Sequence, residues 1–235
     1  MGLTILLLLC LFGCNPEGNT EDPDIPSEPQ APIETSYLAL GDSYTIGESV
    51  PIVERWPVLL AEALNKDTAF AVGNPKIIAR TGWTTDELQS AIAAQNPDND
   101  YSIVSLLIGV NNQFRGYPFS QYETEFVELL DTAIEKARGR TDKVFVVSIP
   151  DYGVTPFGQS RDTDKIAKEL DEYNAYAKGV CEQRGIPFID ITPISREAKD
   201  NADLVASDGL HPSGEMYRRW VEIMTTEIKA LIKKP

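Results

Sequence analysis

Stretches of mainly apolar residues alternate along this chain with stretches in which apolar positions recur every three or four residues. The first kind is typical of buried parallel strands, and the second of amphipathic helices. Strands are predicted at residues 37–40, 76–79, 101–108, 143–149 and 187–191. Helices are predicted at residues 56–64, 86–94, 119–138 and 165–184, and after Pro212. This alternation predicts one α/β domain with a parallel sheet of about five strands, covered by helices on both faces.

The first residues depart from this alternation and indicate a targeting segment. The apolar run at 3–12 has the length of a signal-peptide core and is too short to cross a bilayer as a helix. It ends in Leu-Phe-Gly-Cys at 11–14, which resembles the lipobox of bacterial lipoproteins. The resemblance implies that residues 1–14 end in a lipidated Cys14. It also implies a lipoprotein anchored to a membrane outside the cytoplasm, in the periplasm or at the cell surface. An unlipidated secretory signal is the alternative.

Residues 15–35 have the composition of a tether. They contain five prolines, six acidic residues and no basic residue. Such a segment has too little apolar surface to form a core, so it is expected to be extended and solvated. The folded domain is therefore predicted to span residues 36–235.

The composition of the chain argues against nucleic-acid binding and against a zinc site built from histidines. The chain has 36 acidic and 21 basic residues and a formal net charge of −15, so it would repel the phosphate backbone of nucleic acid. Its single histidine, His211, excludes a zinc site built from several histidines of one chain. Cys181 lies inside a predicted helix and is interpreted as a packed thiol with no catalytic role.

The predicted strand at 37–40 stops at Gly41 and is followed closely by Ser43. Open α/β sheets bind their ligands at this carboxyl end of the strands. A serine hydroxyl becomes a nucleophile when a base takes its proton and a carboxylate orients that base. The only imidazole is that of His211, and Asp208 lies three residues before it. We therefore expect Ser43, His211 and Asp208 to act together.

Acyl transfer also needs donors aimed at the negative charge that develops on the substrate carbonyl. The backbone N–H of Ser43 is one candidate. Gly82 follows the second predicted strand and would expose its amide, and Asn111 follows the third and offers its side-chain NH₂. Because the carboxyl ends of parallel strands share one edge of the sheet, these groups are expected to converge.

Four short motifs resemble the sequence blocks of the SGNH hydrolases, also called GDSL lipases and esterases. They are G-D-S at 41–43, Gly82, G-x-N at 109–111 and D-x-x-H at 208–211. The resemblance implies a flavodoxin-like, three-layer α/β/α fold and ester hydrolysis without a metal or cofactor. It implies Ser43 as nucleophile, His211 as base and Asp208 as its orienting acid. Gly82 and Asn111 would be oxyanion donors together with the Ser43 N–H.

Two positions depart from the family pattern. Tyr44 replaces the leucine of G-D-S-L, and Asn112 replaces the aspartate that often follows the asparagine of the third block. Neither change removes a catalytic group, although both alter the expected pocket wall. Thr45 stands where a G-x-S-x-G elbow would have its second glycine, which argues against the ordinary α/β-hydrolase family.

Aromatic residues beside these blocks suggest the kind of substrate. Together with Asn112, they are expected to line the pocket: Tyr44, Trp83, Phe114, Tyr117 and Tyr152. Phe157 is also close to these blocks and fits a cleft or a core position equally well. Aromatic rings suit stacking on a sugar face or holding a short acyl group. The sequence leaves no long apolar insertion for a lid. We therefore predict a serine esterase acting on short-chain acyl esters such as acetylated carbohydrates.

Other activities stay open from the sequence. A lysophospholipase, lipase, thioesterase or peptidase would use the same chemistry on other acyl compounds. A carbohydrate-binding protein without activity could share the fold. A metal-dependent hydrolase using Asp42, Asp208 and His211 is a weaker alternative, because it lacks further ligands.

Overall fold

The computed structural model describes residues 31–234, and these contain seven strands and eight α-helices. The strands are β1 (Ile33–Thr35), β2 (Tyr37–Gly41), β3 (Phe70–Val72), β4 (Lys76–Ala79), β5 (Ile103–Leu107), β6 (Val144–Val147) and β7 (Phe188–Ile189). The helices are α1 (Ser43–Ile46), α2 (Trp56–Asn65), α3 (Thr85–Gln95), α4 (Val110–Phe114), α5 (Phe119–Lys136), α6 (Thr163–Arg184), α7 (Thr192–Arg196) and α8 (Gly214–Lys233).

Five strands form the main sheet in the order β4-β2-β5-β6-β7, and every neighbouring pair is parallel. This is the flavodoxin-like order of a doubly wound sheet. The central strands β2 and β5 are buried along their whole length, as expected for uncharged runs covered on both faces. The predicted α/β architecture with about five parallel strands is confirmed.

The helices bury the two faces of this sheet. Helix α2 packs on α8, while α5 packs between α3 and α6. In α8 the apolar residues Trp220, Met224 and Ile228 recur at helical spacing and are fully buried. The buried thiol of Cys181 lies within α6, and burial raises its pKa to about 12, which agrees with a packed, unreactive side chain. Within residues 31–234, no helix is long and apolar enough to cross a membrane.

The folded region begins earlier than the sequence predicted. Residues 33–35, assigned to the tether, form strand β1, which pairs in parallel with β3 as a separate two-stranded sheet. The pattern of apolar and polar residues does not reveal β1, because three residues are too few to show a period. The predicted leader, its Cys14 and residues 15–30 of the tether lie outside the described residues.

Candidate active site

The turn after β2 places Ser43 at the sheet edge. A side chain at Gly41 would bring a Cβ atom within 2.5 Å of the Leu107 carbonyl oxygen, so β2 can end here only at a glycine. The next residue, Asp42, caps α1 by accepting the Tyr44 N–H at 3.0 Å. Ser43 is therefore the first residue of α1. Its N–H lies at the helix N-terminus, where backbone donors lack intrahelical partners.

Asp42 supports this turn from the interior and does not line the cleft that contains Ser43. Its side chain is fully buried, and one carboxylate oxygen, Oδ2, has no hydrogen-bond partner among the described residues. Burial raises the pKa of Asp42 to about 7, against the smaller opposing effect of the hydrogen bond from Tyr44. In the described part of the chain, no three metal-ligating side chains lie together.

The loop before α8 holds the predicted base and its acid. Oδ2 of Asp208 lies 2.6 Å from Nδ1 of His211. Oδ1 of Asp208 accepts the backbone N–H groups of Leu210 and His211 at 2.9 and 3.0 Å. The hydroxyl of Ser49 donates to Oδ2 at 2.6 Å. The carboxylate therefore fixes both its own loop and the imidazole ring.

These contacts keep Asp208 ionised. Burial by itself raises the pKa of Asp208, but the hydrogen bonds from Ser49, His211 and the backbone outweigh it and hold the pKa well below its ordinary value. An anionic partner at Nδ1 holds the N–H of the neutral imidazole there and leaves Nε2 as the basic nitrogen. That is the tautomer a general base requires.

Ser43 and His211 line the same cleft. Neither Oγ of Ser43 nor Nε2 of His211 is hydrogen-bonded to another described residue, so both are available to a substrate. The Tyr44 ring packs edge-on against the imidazole, with centroids 5.9 Å apart, and limits its rotation. The structure thus brings Ser43 and the hydrogen-bonded pair of His211 and Asp208 to one cleft.

Gly82 and Asn111 lie on the wall of this cleft. Gly82 has φ +88°, in the left-handed region that favours glycine. Nη2 of Arg115 donates to the Gly82 carbonyl at 2.5 Å and forms an ion pair with Glu87 at 3.3 Å. These contacts fix the loop that carries the Gly82 amide.

One hydrogen of the Asn111 amide has a fixed partner. Nδ2 donates to the Trp83 carbonyl at 2.9 Å, which leaves its second hydrogen for a substrate. The preceding Gly109 has φ +126°, and a Cβ there would lie 2.6 Å from Cε2 of Tyr122. The glycine of the G-x-N motif is therefore required for the backbone shape that precedes Asn111.

The cleft has a volume of about 470 Å³ and is mainly apolar and aromatic. It is lined by Ser43, Tyr44, Thr81, Gly82, Val110, Asn111, Phe114, Tyr152, Phe157, Leu210 and His211. Of the pocket residues predicted from sequence, Tyr44, Phe114 and Tyr152 lie there. The other three, Trp83, Asn112 and Tyr117, do not.

The three misplaced residues have structural contacts instead. Asn112 is fully buried, and its amide exchanges hydrogen bonds with the backbone and hydroxyl of Thr85, at 3.1 and 2.6 Å. Trp83 offers only its carbonyl to Asn111, while its ring packs against the core. Tyr117 lies beside the guanidinium of Arg115. Closeness in sequence to a motif therefore did not show whether a residue lines the cleft or makes a structural contact.

Sequence reasoning also missed two supporting residues, Ser49 and Arg115. Ser49 is 159 positions before Asp208, and Arg115 is 33 positions after Gly82. Neither residue belongs to a motif, so only the folded chain reveals these contacts. The only local sequence signal near Ser49 is Gly47, two residues before it, which marks a turn.

Fold and site together define a class: an α/β/α hydrolase in which Ser43, His211, Gly82 and Asn111 line one cleft. The comparison with family models agrees, since residues 39–219 match the GDSL-like lipase/acylhydrolase family. The chain belongs to that family, also known as the SGNH hydrolases, and is a carboxylic ester hydrolase.

Solved structures of similar proteins share the fold. A lipase/acylhydrolase of Enterococcus faecalis is 21% identical, with a TM-score of 0.57, covering 83% of this chain and 96% of that one. A psychrotrophic esterase of Pseudoalteromonas is 16% identical, with a TM-score of 0.59, covering 85% and 100%. A variant of an acetyl-xylooligosaccharide esterase of Geobacillus is 19% identical, with a TM-score of 0.56, covering 86% and 95%. Comparison with curated proteins found no match.

Proposed function

We propose that this protein hydrolyses short-chain acyl esters, such as acetylated carbohydrates, through an acyl-enzyme formed on Ser43. The observation that carries the proposal is the 2.6 Å contact between Asp208 and His211, in a loop whose imidazole lines the same cleft as Ser43. Two oxyanion-donor candidates, Gly82 and Asn111, line that cleft too. Each group required for acyl transfer therefore has a candidate within reach of one substrate.

The mechanism follows from these positions. Oγ of Ser43 attacks the ester carbonyl while Nε2 of His211 takes its proton. The N–H groups of Ser43 and Gly82 and the free amide hydrogen of Asn111 stabilise the oxyanion. The C–O bond of the ester then breaks, and His211 returns the proton to the leaving alcohol. Water attacks the acyl-enzyme in the same way, releasing the acid and restoring the Ser43 hydroxyl.

The walls of the cleft support a short acyl chain. The space of about 470 Å³ is open to solvent. Its walls include Tyr44, Phe114, Tyr152 and Phe157, whose rings suit a sugar face or a small acyl group. A relative named as an acetyl-xylooligosaccharide esterase shares the fold, which is consistent with this substrate class.

The test is kcat/KM for 4-nitrophenyl esters from acetyl to dodecanoyl, followed by acetylated xylo-oligosaccharides and lysophospholipids. We expect the highest kcat/KM between acetyl and butyryl, with release of acetate from the acetylated sugars. A steady rise through octanoyl, or efficient cleavage of lysophospholipids, would contradict the short-chain assignment and favour a lipase. A preference for acyl-thioesters over matched oxygen esters would favour a thioesterase.

Anchoring of the enzyme outside the cytoplasm belongs to the same proposal. It is supported by the Leu-Phe-Gly-Cys sequence at 11–14 and the acidic, proline-rich composition that follows. In a bacterial host, the wild-type chain should fractionate with membranes, and Cys14→Ser should be released without a change in specific activity. Wild-type protein that is soluble after export would contradict the lipid anchor.

A further inference from the structure

Arg161, just before helix α6, holds its guanidinium against two aromatic rings. Its Cζ atom lies 4.7 Å from the ring centroid of Phe114 and 4.8 Å from that of Phe157. The two rings also touch each other, with centroids 6.0 Å apart. Cation–π contacts of this length favour a guanidinium stacked in one orientation. The side chain is therefore positioned, although it is exposed to solvent.

The rings that hold Arg161 belong to the active-site cleft. Phe114 and Phe157 line it, together with Ser43 and His211, and they remain 42% and 36% exposed. The two rings adjoin each other, and contiguous exposed apolar surface is a feature of ligand-binding grooves. The guanidinium of Arg161 thus contacts two rings that themselves line the space in which an ester would bind.

The guanidinium of Arg161 has no carboxylate partner among residues 31–234. Several other arginines do form ion pairs: Arg115 with Glu87, Arg184 with Asp131, and Arg196 with Asp151 and Asp171. The neighbouring Asp162 is engaged elsewhere, because it caps α6 by accepting the Lys165 N–H. The planar donors of Arg161 are therefore free for a carboxylate or another anion.

The carboxylates near the cleft already have donors. The hydroxyl of Thr81, on the cleft wall, donates to the carboxylate of Glu48, and the carboxylate of Asp208 holds the base. An anionic group of a substrate would be repelled by these carboxylates and attracted to the guanidinium of Arg161.

We propose that the ester substrate carries a negatively charged group, a carboxylate in the simplest case, which binds Arg161 beside the rings of Phe114 and Phe157. The inference rests on the proposed function and specifies its substrate class: acyl esters of acidic compounds, or half-esters of diacids. The contacts with two rings restrict the guanidinium, whose planar fork of N–H donors matches the two oxygens of a carboxylate.

Two matched pairs of probes test the proposal. In the first pair the charge is on the acyl side: mono-4-nitrophenyl glutarate against its methyl ester. In the second it is on the alcohol side: 4-acetoxybenzoate against methyl 4-acetoxybenzoate. Each kcat/KM is corrected for spontaneous hydrolysis and divided by the rate constant for reaction of the same ester with imidazole, a neutral nucleophile, which corrects for leaving-group reactivity. The ratio of anionic to neutral partner then reports charge recognition alone.

We expect the wild type to prefer the anionic partner by about tenfold or more in one of the pairs, the value of a charge-assisted hydrogen bond. Arg161→Gln should bring that ratio close to one, and added salt should lower it in the wild type. Arg161→Lys should keep part of the preference, because it retains the charge but not the planar fork. Lys168→Gln, which removes one exposed positive charge from α6, should leave the ratio unchanged.

Equal use of both partners by the wild type, or a preference that survives in Arg161→Gln, would overturn the anionic subsite while leaving ester hydrolysis intact. Failure of the wild type to hydrolyse any of the four esters would overturn the proposed function as well. Melting temperatures for each variant separate loss of recognition from loss of folding. Should Arg161→Gln not fold, a preference kept in full by Arg161→Lys and insensitive to salt would overturn the proposal.

Discussion

At the scale of single residues, neighbouring side chains of the same type have different roles. Asn111 and Asn112 are adjacent, yet the first lines the cleft and the second is buried against Thr85. The sequence predicted Asn111 correctly as a cleft residue, because its motif places it after a strand. It misplaced Asn112, because the partner of a buried amide is decided by tertiary packing.

This difference gives a matched prediction. Asn111→Ala should lower kcat by roughly 10²-fold, as expected for loss of one oxyanion donor, with an unchanged melting temperature. Asn112→Ala should instead destabilise the fold by about 1–3 kcal/mol, because it leaves the buried Thr85 N–H without its acceptor. Steady-state kinetics and thermal denaturation of both variants provide the measurement. An unchanged kcat for Asn111→Ala would remove it from the oxyanion site.

Asp42 gives a prediction about pH. Burial raises its pKa from the ordinary 3.8 to about 7, so the folded protein binds this proton more tightly than the unfolded chain does. The contribution to stability is present at low pH and is lost as pH rises from about 4 through 7. Asp42→Asn cannot ionise, so its stability relative to wild type should rise over that interval by on the order of a few kcal/mol.

Urea denaturation at several pH values measures this effect. The control is Asp98→Asn, which removes an exposed carboxylate and should leave the pH dependence of stability unchanged. A wild-type protein whose free energy of unfolding rises between pH 4 and 7, in parallel with that of Asp42→Asn, would contradict the account. Below pH 4 both proteins should lose stability as Asp208 is protonated, because its pKa is lowered in the folded state.

At the scale of secondary structure, the long elements were predictable and the short ones were not. Strands β2 and β5 are uncharged runs buried on both faces, and α5 and α8 show a clear apolar stripe. In contrast, α1, α4 and α7 have four or five residues each, too few for a helical period. Where these short helices begin and end depends on the ends of the strands and on nearby glycines. Their positions are therefore seen only in the folded structure.

Two glycines test how backbone shape supports these elements. Gly109→Ala should destabilise the protein by about 2 kcal/mol or more, because a Cβ would meet Tyr122 and φ is +126°. It should also lower kcat by displacing Asn111. Gly179→Ala, inside α6 with open space around it, should stabilise the protein by about 0.5–1 kcal/mol. Equal effects of the two changes in thermal denaturation would refute the assigned backbone constraint.

At the scale of the whole molecule, parallel strand order explains why the site could be predicted at all. Gly41 pairs with Ala79 and with Leu107, so β2, β4 and β5 end side by side at one edge. Residues that follow those ends must meet, whatever their separation in sequence. The same rule says nothing of side-chain direction. The sequence therefore left Phe157 open between the cleft and the core, and it gave no sign that Arg161 contacts the aromatic rings of the cleft.

The central claim is that Ser43 forms a covalent acyl-enzyme with the help of His211. The most direct test is reaction of the folded protein with a fluorophosphonate ester, followed by intact-mass and peptide mass spectrometry. We predict one phosphonyl group per chain, attached to Ser43, with parallel loss of hydrolysis of 4-nitrophenyl acetate. Ser43→Ala should not be labelled and should lose on the order of 10⁴-fold or more in kcat. Labelling at another residue, or a Ser43→Ala variant active within tenfold of wild type, would contradict the account.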